Sequence, residues 1–305
     1  MWLFRKSLDL RTAYLRPLNA DDLTVTSRLL RDGARRMYAL SGGDLPALLA
    51  AGYAVGLWIG SDLIGVFVVS WPNAGTCWLR AAALAEGVEV RPGLELLLPA
   101  LNDQLRQRQI RTIYYAGDED ADSWLIPVLL NYGYLPDTEV VVYEKRNRSI
   151  PDPGNPAILL RPACSEDLAA ILELDRICFE YQWMKDGSVL GPAILDGSLF
   201  VVAELHAQPV GYAYATSHFG GRLLHLVRIA VDPHRRGARI GVRLLAEVTQ
   251  YAADRQSDVI TLNTQAYNSR AQRLYEWFGF MRTGERQQIL RFALNASDSV
   301  AQSTS

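Results

Sequence analysis

Short β-type apolar runs alternate with stretches of helical periodicity, and the pattern is written twice. In the second half, a strand near Ile158–Arg161 precedes a helix over Ser165–Cys178, with Ser165 as its N-cap candidate, and then a less regular segment around Trp183–Ile194. A hairpin follows, Leu199–Leu205 and Val210–Thr216, turning at His206-Ala207-Gln208. A strand over Leu223–Val231 leads through a basic turn into a helix from Ala238 to Ala253. A strand at Val259–Thr264, a helix at Ser269–Phe278 and a strand pair within Phe280–Leu294 complete the half. The first half predicts strands near Ala54–Ile59, Ile64–Ser70, Cys77–Ala85, Thr112–Tyr115 and Val140–Glu144. Strands outnumber helices in a mixed order, which excludes a simple alternating βαβ wind.

The halves share a register. Leu15-Arg16-Pro17 followed by Asp21-Asp22-Leu23 answers to Leu160-Arg161-Pro162 followed by Glu166-Asp167-Leu168, 145 residues on. Gly65 and Gly211, in similar apolar strands, lie 146 residues apart, as do Gly133 of Asn131-Tyr132-Gly133-Tyr134 and Gly279 of Trp277-Phe278-Gly279-Phe280. The pattern predicts a tandem duplication of α/β (α+β) class: a domain over 10–147, a linker over 148–156, a second domain over 157–294 and a disordered polar tail over 295–305. The linker contains Pro151, Pro153, Gly154 and Pro156, which continue neither a helix nor a central strand.

Composition narrows the function classes. At 305 residues and 49% hydrophobic, the chain can bury one large core or two ordinary ones. A net charge of -2 gives no support to nucleic-acid or membrane-surface binding. Cys77, Cys164 and Cys178 have neither metal-cluster nor disulfide spacing, so no metal is expected. The start does not read as a signal peptide and no apolar run reaches the roughly 18 residues of a membrane span. The expectation is a soluble, cytoplasmic protein.

Two stretches carry candidate chemistry. In the first, Val231-Asp232-Pro233-His234-Arg235-Arg236-Gly237-Ala238-Arg239-Ile240-Gly241-Val242, a strand enters a basic, glycine-bearing turn that opens a helix. Free backbone N–H groups and the positive helix end suit a phosphate, although an ordinary turn with a solvated basic face has the same pattern. In the second, Asn268 to Phe280, residues Ala271, Leu274, Tyr275 and Phe278 share one helix face, Asn268 sits at the start and Gly279 is a C-cap candidate.

Together these stretches resemble the GNAT superfamily of acyl-CoA-dependent N-acetyltransferases. That family's loop has the form Arg/Gln-x-x-Gly-x-Gly/Ala after a strand ending Val-x-Pro; Val231, Pro233, Arg236, Ile240 and Gly241 match, while Arg239 stands where the first glycine is usual. Its later helix typically reads Asn-x-x-Ala-x-x-Leu-Tyr-x-x-x-Gly-Phe, and Asn268 to Phe280 match at each of those positions. The resemblance implies two tandem GNAT-type mixed β-sheet domains with helices on both faces and acetyl-CoA as cosubstrate. The backbone of Ile229, Ala230 and Val231 would pair with the pantetheine arm. The N–H groups of Arg236, Gly237, Ala238, Arg239, Ile240, Gly241 and Val242 would hold the pyrophosphate. Asn268 would contact the cofactor, and Tyr275 would protonate the departing thiolate.

The base that deprotonates the acceptor amine is less plainly marked. His225 titrates in the useful range, and strict alternation puts it on the strand face of Val227 and Ile229. Glu180, in the segment that shapes the acceptor pocket in such enzymes, is the reserve, and a water chain is a third route. In the first half, the 146-residue offset turns Asn268 into Asp122, Tyr275 into Leu129 and Gly241 into Glu95, while Pro92 falls where a donor N–H is wanted. That half therefore reads as a GNAT-like copy without cofactor binding. The expected partners are acetyl-CoA and a primary amine of a small molecule or protein N-terminus, with room for a homodimer. The alternatives are mycothiol-synthase-like acetylation of a thiol-sugar amine and a CoA-binding sensor or scaffold without turnover.

Overall fold

The computed structural model describes residues 7–40, 43–117 and 121–294; the expected tail over 295–305 lies outside them. The chain forms two compact units: residues up to Asp137 together with those from Gln287 onward, and Thr138–Arg286.

Unit 1 contains β1 (Tyr14–Pro17), α1 (Leu23–Asp32), β2 (Arg35–Tyr38), α2 (Asp44–Ala50), β3 (Ala54–Ile59), β4 (Asp62–Val69), β5 (Thr76–Leu84), α3 (Val90–Gln107), β6 (Thr112–Gly117) and α4 (Ile126–Tyr132). Unit 2 begins within β7 (Leu135–Lys145). It continues through β8 (Leu159–Pro162), α5 (Leu168–Cys178), α6 (Gly187–Asp196), β9 (Leu199–Leu205), β10 (Gln208–His218), β11 (Leu223–Val231), α7 (Ile240–Asp254), β12 (Val259–Gln265) and α8 (Ser269–Trp277). The last strand, β13 (Met281–Ala293), starts in unit 2 and ends in unit 1.

The unit boundaries differ from the linear division at 148–156, and the ladders give the reason. In unit 2 the order is β8-β9-β10-β11-β12-β7, with β11 and β12 parallel and the other pairs antiparallel. In unit 1 it is β1-β3-β4-β5-β6-β13, with β5 and β6 parallel. Each unit's closing strand thus comes from the opposite repeat: β7 belongs to the first repeat by sequence, and β13 to the second.

Unit 2 buries both faces of its sheet. Val201, Ala203, Ala213, Leu224 and Leu226 pack with Ile240, Leu244, Leu245 and Val248 of α7 and Tyr275 and Phe278 around α8. On the opposite face, Phe200, Val202, Tyr212 and Ala230 pack with Ile171 and Leu174 of α5 and Leu190 and Ala193 of α6. This is the expected mixed sheet with helices on both sides.

Local differences from the sequence reading have physical causes. Ser165 is not a cap but the first residue of a 3-10 turn; the Asp167 carboxylate holds the Cys164 N–H at 2.9 Å and organises the helix start. The stretch around Trp183–Ile194 contains α6, masked in the pattern by Gly187, Gly191 and Pro192, and Asp186 Oδ1 accepts the Ser188 N–H at 2.9 Å to cap it. The segment after Phe280 is one strand rather than a pair.

Candidate active site

The geometry centres on β11. Its ladder with β10 shifts register between Tyr214 and Ala215, so Tyr214 faces Arg228, Ala215 faces Leu226, and Val227 is the extra residue of a β-bulge. A one-residue insertion inverts side-chain parity. Leu224 and Leu226 face the α7 side, and beyond the bulge so do Ile229 and Val231, while Ala230 faces α5 and α6. His225 therefore lies on the face opposite Ile229, which corrects the simple alternation argument. Its Nδ1 stands 3.0 Å from Thr261 Oγ1, the neighbouring residue of the parallel ladder. Burial, with a smaller contribution from His218, lowers its pKa below the ordinary imidazole value.

The parallel ladder of β11 and β12 spans only Leu223–Leu226 with Val259–Leu262. Beyond it, β12 continues on β7 and β11 continues on β10, so the two strands part. The Asp232 N–H donates to Val210 O at 2.9 Å, toward β10. Because successive residues of a strand point their N–H and C=O groups to opposite edges, Val231 and Ile229 present theirs to the parted edge. The Val231 carbonyl already accepts a donor there: the Cys178 thiol, pushed up to about 11 chiefly by burial, donates to it at 3.3 Å.

The turn after β11 is held by Asp232, which accepts the His234 N–H at 2.9 Å, and by a 3-10 turn over Pro233–Arg235. Gly237 has φ +93° and Arg239 φ +57°, both left-handed, and α7 begins at Ile240. Among the described residues, the N–H groups of Gly237, Arg239, Ile240, Gly241 and Val242 have no acceptor. They converge at the positive end of a 15-residue helix, beside the exposed side chains of Arg235, Arg236 and Arg239. An anion fits these donors.

On α8, Asn268 Oδ1 accepts the Ala271 N–H at 3.2 Å and caps the helix, and Gly279 follows it with φ +93°. Tyr275 is buried with its ring among Tyr143 and Phe280, and desolvation raises its pKa well above the usual phenol value. Gly241 brings α7 and α8 together: a Cβ there would stand 3.3 Å from Leu274 Cδ2.

Glu180 is exposed; its Oε2 accepts Gln182 Nε2 at 2.7 Å and the Tyr267 hydroxyl at 3.2 Å, and that hydroxyl accepts Trp183 Nε1 at 3.2 Å. These contacts join the Glu180–Trp183 segment to the loop before α8. The sequence reading did not find the network behind that segment. Fully buried Asp175 binds Arg228 through two hydrogen bonds of 2.7 and 2.8 Å. It also accepts the Tyr212 hydroxyl at 2.5 Å and the Lys185 N–H at 2.8 Å, while Arg228 donates to Trp183 O at 2.7 Å. The available signal was Asp175 standing on the apolar face of Ile171 and Leu174, where a carboxylate requires a cation. Losing one partner would leave a buried charge uncompensated, a cost of about 3–5 kcal/mol.

Unit 1 repeats the bulge and the parting. Val68 faces Ala81 and Val69 faces Leu79, leaving Arg80 extra, and β5 pairs with β6 only over Thr76–Leu79. Here the groove is filled. Since β4 takes one edge of Ala81–Leu84, the antiparallel pairing of Arg35–Tyr38 with the same residues puts β2 on the other edge, in the gap. The connection from β5 to α3 is only residues 85–89, and Pro92 and Gly93 lie within α3 rather than in a loop. Glu95 pairs with Arg91 at 3.0 Å. Leu129, at the position of Tyr275, is buried without a hydroxyl.

Among the described residues, no cluster of three or more His, Cys, Asp or Glu could hold a metal, and no helix is long and apolar enough to cross a membrane.

Residues 168–280 match the acetyltransferase (GNAT) family. The chain is 37% identical to an N-acetylaspartate synthetase of Danio rerio over 91 residues, 30% of this chain and 32% of that protein. It is 28% identical to a thialysine N-epsilon-acetyltransferase of Bos taurus over 141 residues, 40% of this chain and 83% of that protein. The chain spans less than a third of the N-acetylaspartate synthetases it matches, at 32% and 29%. A tandem GNAT protein of the clavulanic acid biosynthesis pathway shares the fold, with TM-score 0.60 and 14% identity, covering 94% of this chain and all (100%) of that one. The match to the GNAT acetyltransferase family thus covers residues 168–280, within unit 2, and the likeness to the tandem GNAT protein is one of fold.

Proposed function

We propose that unit 2 is an N-acetyltransferase that moves acetyl from acetyl-CoA to a primary amine by direct attack in a ternary complex. The observation that carries this reading is the parting of β11 from β12 beside the N–H groups of residues 237 and 239–242, which have no acceptor among the described residues. The parted edge gives the pantetheine amides strand-like partners on Ile229 and Val231, with the Val231 carbonyl exchanging the Cys178 thiol for a pantetheine N–H, while the expected contact from the backbone of Ala230 is not available because its groups face β10. The loop from Arg236 to Val242 receives the pyrophosphate at the helix end. Asn268 keeps its amide NH2 for the cofactor while its oxygen caps α8.

His225, kept neutral at physiological pH by its lowered pKa, takes the proton of the acceptor ammonium. The amine lone pair then forms the C–N bond at the thioester carbon. As the C–S bond breaks, Tyr275, whose raised pKa keeps it protonated, gives its proton to the sulfur, and the second amine proton leaves to solvent. Glu180 is assigned to the rim of the acceptor site through Tyr267 rather than to proton removal, because it is exposed and already hydrogen-bonded.

The acceptor is proposed to be a small amine of amino-acid type, since relatives of the chain are named N-acetylaspartate synthetase and thialysine N-epsilon-acetyltransferase. No observation favours a thiol-sugar acceptor or a module without turnover. Thiol release from acetyl-CoA with a panel of free amino acids, lysine analogues and N-terminal peptides tests the proposal. Binding of acetyl-CoA with no thiol released by any amine would overturn it.

A further inference from the structure

We propose that the segment Asp152–Asn155 is a strap that positions the pyrophosphate loop, and that Asp152 is what lets an arginine occupy position 239. This rests on the cofactor reading above. Three contacts, all within unit 2, tie the segment to the loop. The Asp152 carboxylate forms an ion pair with the Arg239 guanidinium. Asn155 Nδ2 donates to Ala238 O at 3.0 Å, occupying the carbonyl just before the left-handed residue. Gly154 lies against the first turn of α7, where a Cβ would stand 2.5 Å from Arg243 N, and any side chain would push the strap away. Asp152 Oδ1 also accepts the Gly154 N–H at 2.8 Å, so one carboxylate shapes the strap and holds the loop.

The backbone at Arg239 explains why a strap is needed. With φ +57° and ψ +24°, the residue turns the chain into α7, whose first N–H groups, those of Ile240, Gly241 and Val242, have no acceptor among the described residues. Glycine enters this conformation without opposition from a Cβ, and arginine does not. An external hold on the side chain and on the preceding carbonyl biases the loop toward the conformation that displays its donors. Arg239 therefore spends its charge on Asp152, and anion binding falls to the backbone.

Titration of the full chain with acetyl-CoA and CoA, together with steady-state kinetics, tests this on wild type, D152N, N155A, R239G and D152N/R239G. D152N keeps an acceptor for the Gly154 N–H and removes only the charge. For a partly exposed ion pair, it is expected to weaken acetyl-CoA binding about fivefold. KM for acetyl-CoA rises in parallel while kcat at saturation is retained, which separates loop positioning from general loss of folded protein. In the R239G background the same substitution has little effect, because glycine needs no hold. Equal or tighter binding by D152N, or an undiminished loss in the R239G background, overturns the strap. If D152N does not fold, N155A carries the test through the Ala238 contact: weaker binding at unchanged kcat supports the strap, and unchanged binding overturns it. A wild-type chain that binds neither ligand removes the cofactor reading itself.

Discussion

Tyr275 and His225 sit in environments that push their proton affinities apart, and the proposed chemistry uses both shifts. Burial makes the Tyr275 phenolate unfavourable, so the hydroxyl stays a donor throughout the physiological range. Tyr275→Phe preserves the packing on Tyr143 and Phe280 and deletes only the proton; kcat is expected to fall about 10²-fold with acetyl-CoA affinity nearly unchanged, read from kinetics and titration side by side. For His225, desolvation disfavours the charged ring, so its pKa lies below the ordinary value of about 6.5. A base is lost on protonation, so kcat/KM should be flat at neutral pH and decline only as pH drops through that lowered value. His225→Gln should remove this acid limb along with most of the rate; a limb of unchanged position in the variant would assign the base elsewhere. The Thr261 hydroxyl at 3.0 Å can fix the ring tautomer, although either partner can be the donor.

At the scale of elements, the sequence announced which segments would meet but not how they would meet. The run Leu223–Val231 is apolar at both parities, so nothing in its pattern marks Val227 as a bulge, and the inferred face of His225 inverted with it. The loop and the Asn268–Phe280 helix were legible because their chemistry is local: a turn conformation, a cap and a buried stripe. The Asp175–Arg228 pair, 53 residues apart, was not, since a long-range partner leaves no periodic trace. The same limit hid β2. From substitutions alone the first repeat looked merely deprived of cofactor contacts, whereas its groove is occupied by Arg35–Tyr38, with Met37 buried in the core of unit 1. Opening that groove means breaking a four-residue ladder and exposing Met37, a burial worth roughly 1.5–3 kcal/mol by itself. One acetyl-CoA per chain is therefore expected by calorimetric titration, and a stoichiometry of two would show that β2 yields its place.

For the whole molecule, the traded strands change what counts as a domain. The repeat spacing of 146 residues reports which positions are equivalent and is silent on which strands pair, so it suggested a cut at the proline-rich stretch. A fragment cut there, 157–294, lacks β7 and with it Val141 and Tyr143, both fully buried in the core of unit 2, together with the ladder partners of Ile260 to Gln265. Those two side chains alone represent roughly 3–6 kcal/mol of apolar burial, comparable with the ~5–15 kcal/mol that holds a typical domain together. It would also lose Asp152 and Asn155, which hold the loop. The fragment 138–286, by contrast, is continuous in sequence and keeps β7 from Thr138 on, including all the residues that pair with β12, as well as the strap, the bulged strand, the loop and α8. It is expected to unfold cooperatively and to bind acetyl-CoA within about tenfold of the full chain, whereas 157–294 should be insoluble or molten, as far- and near-ultraviolet circular dichroism would report. A well-folded, cofactor-binding 157–294 fragment would show that the last strands can return to their own repeats. Failure of 138–286 alone would mean that unit 2 depends on the remainder of the chain for its stability.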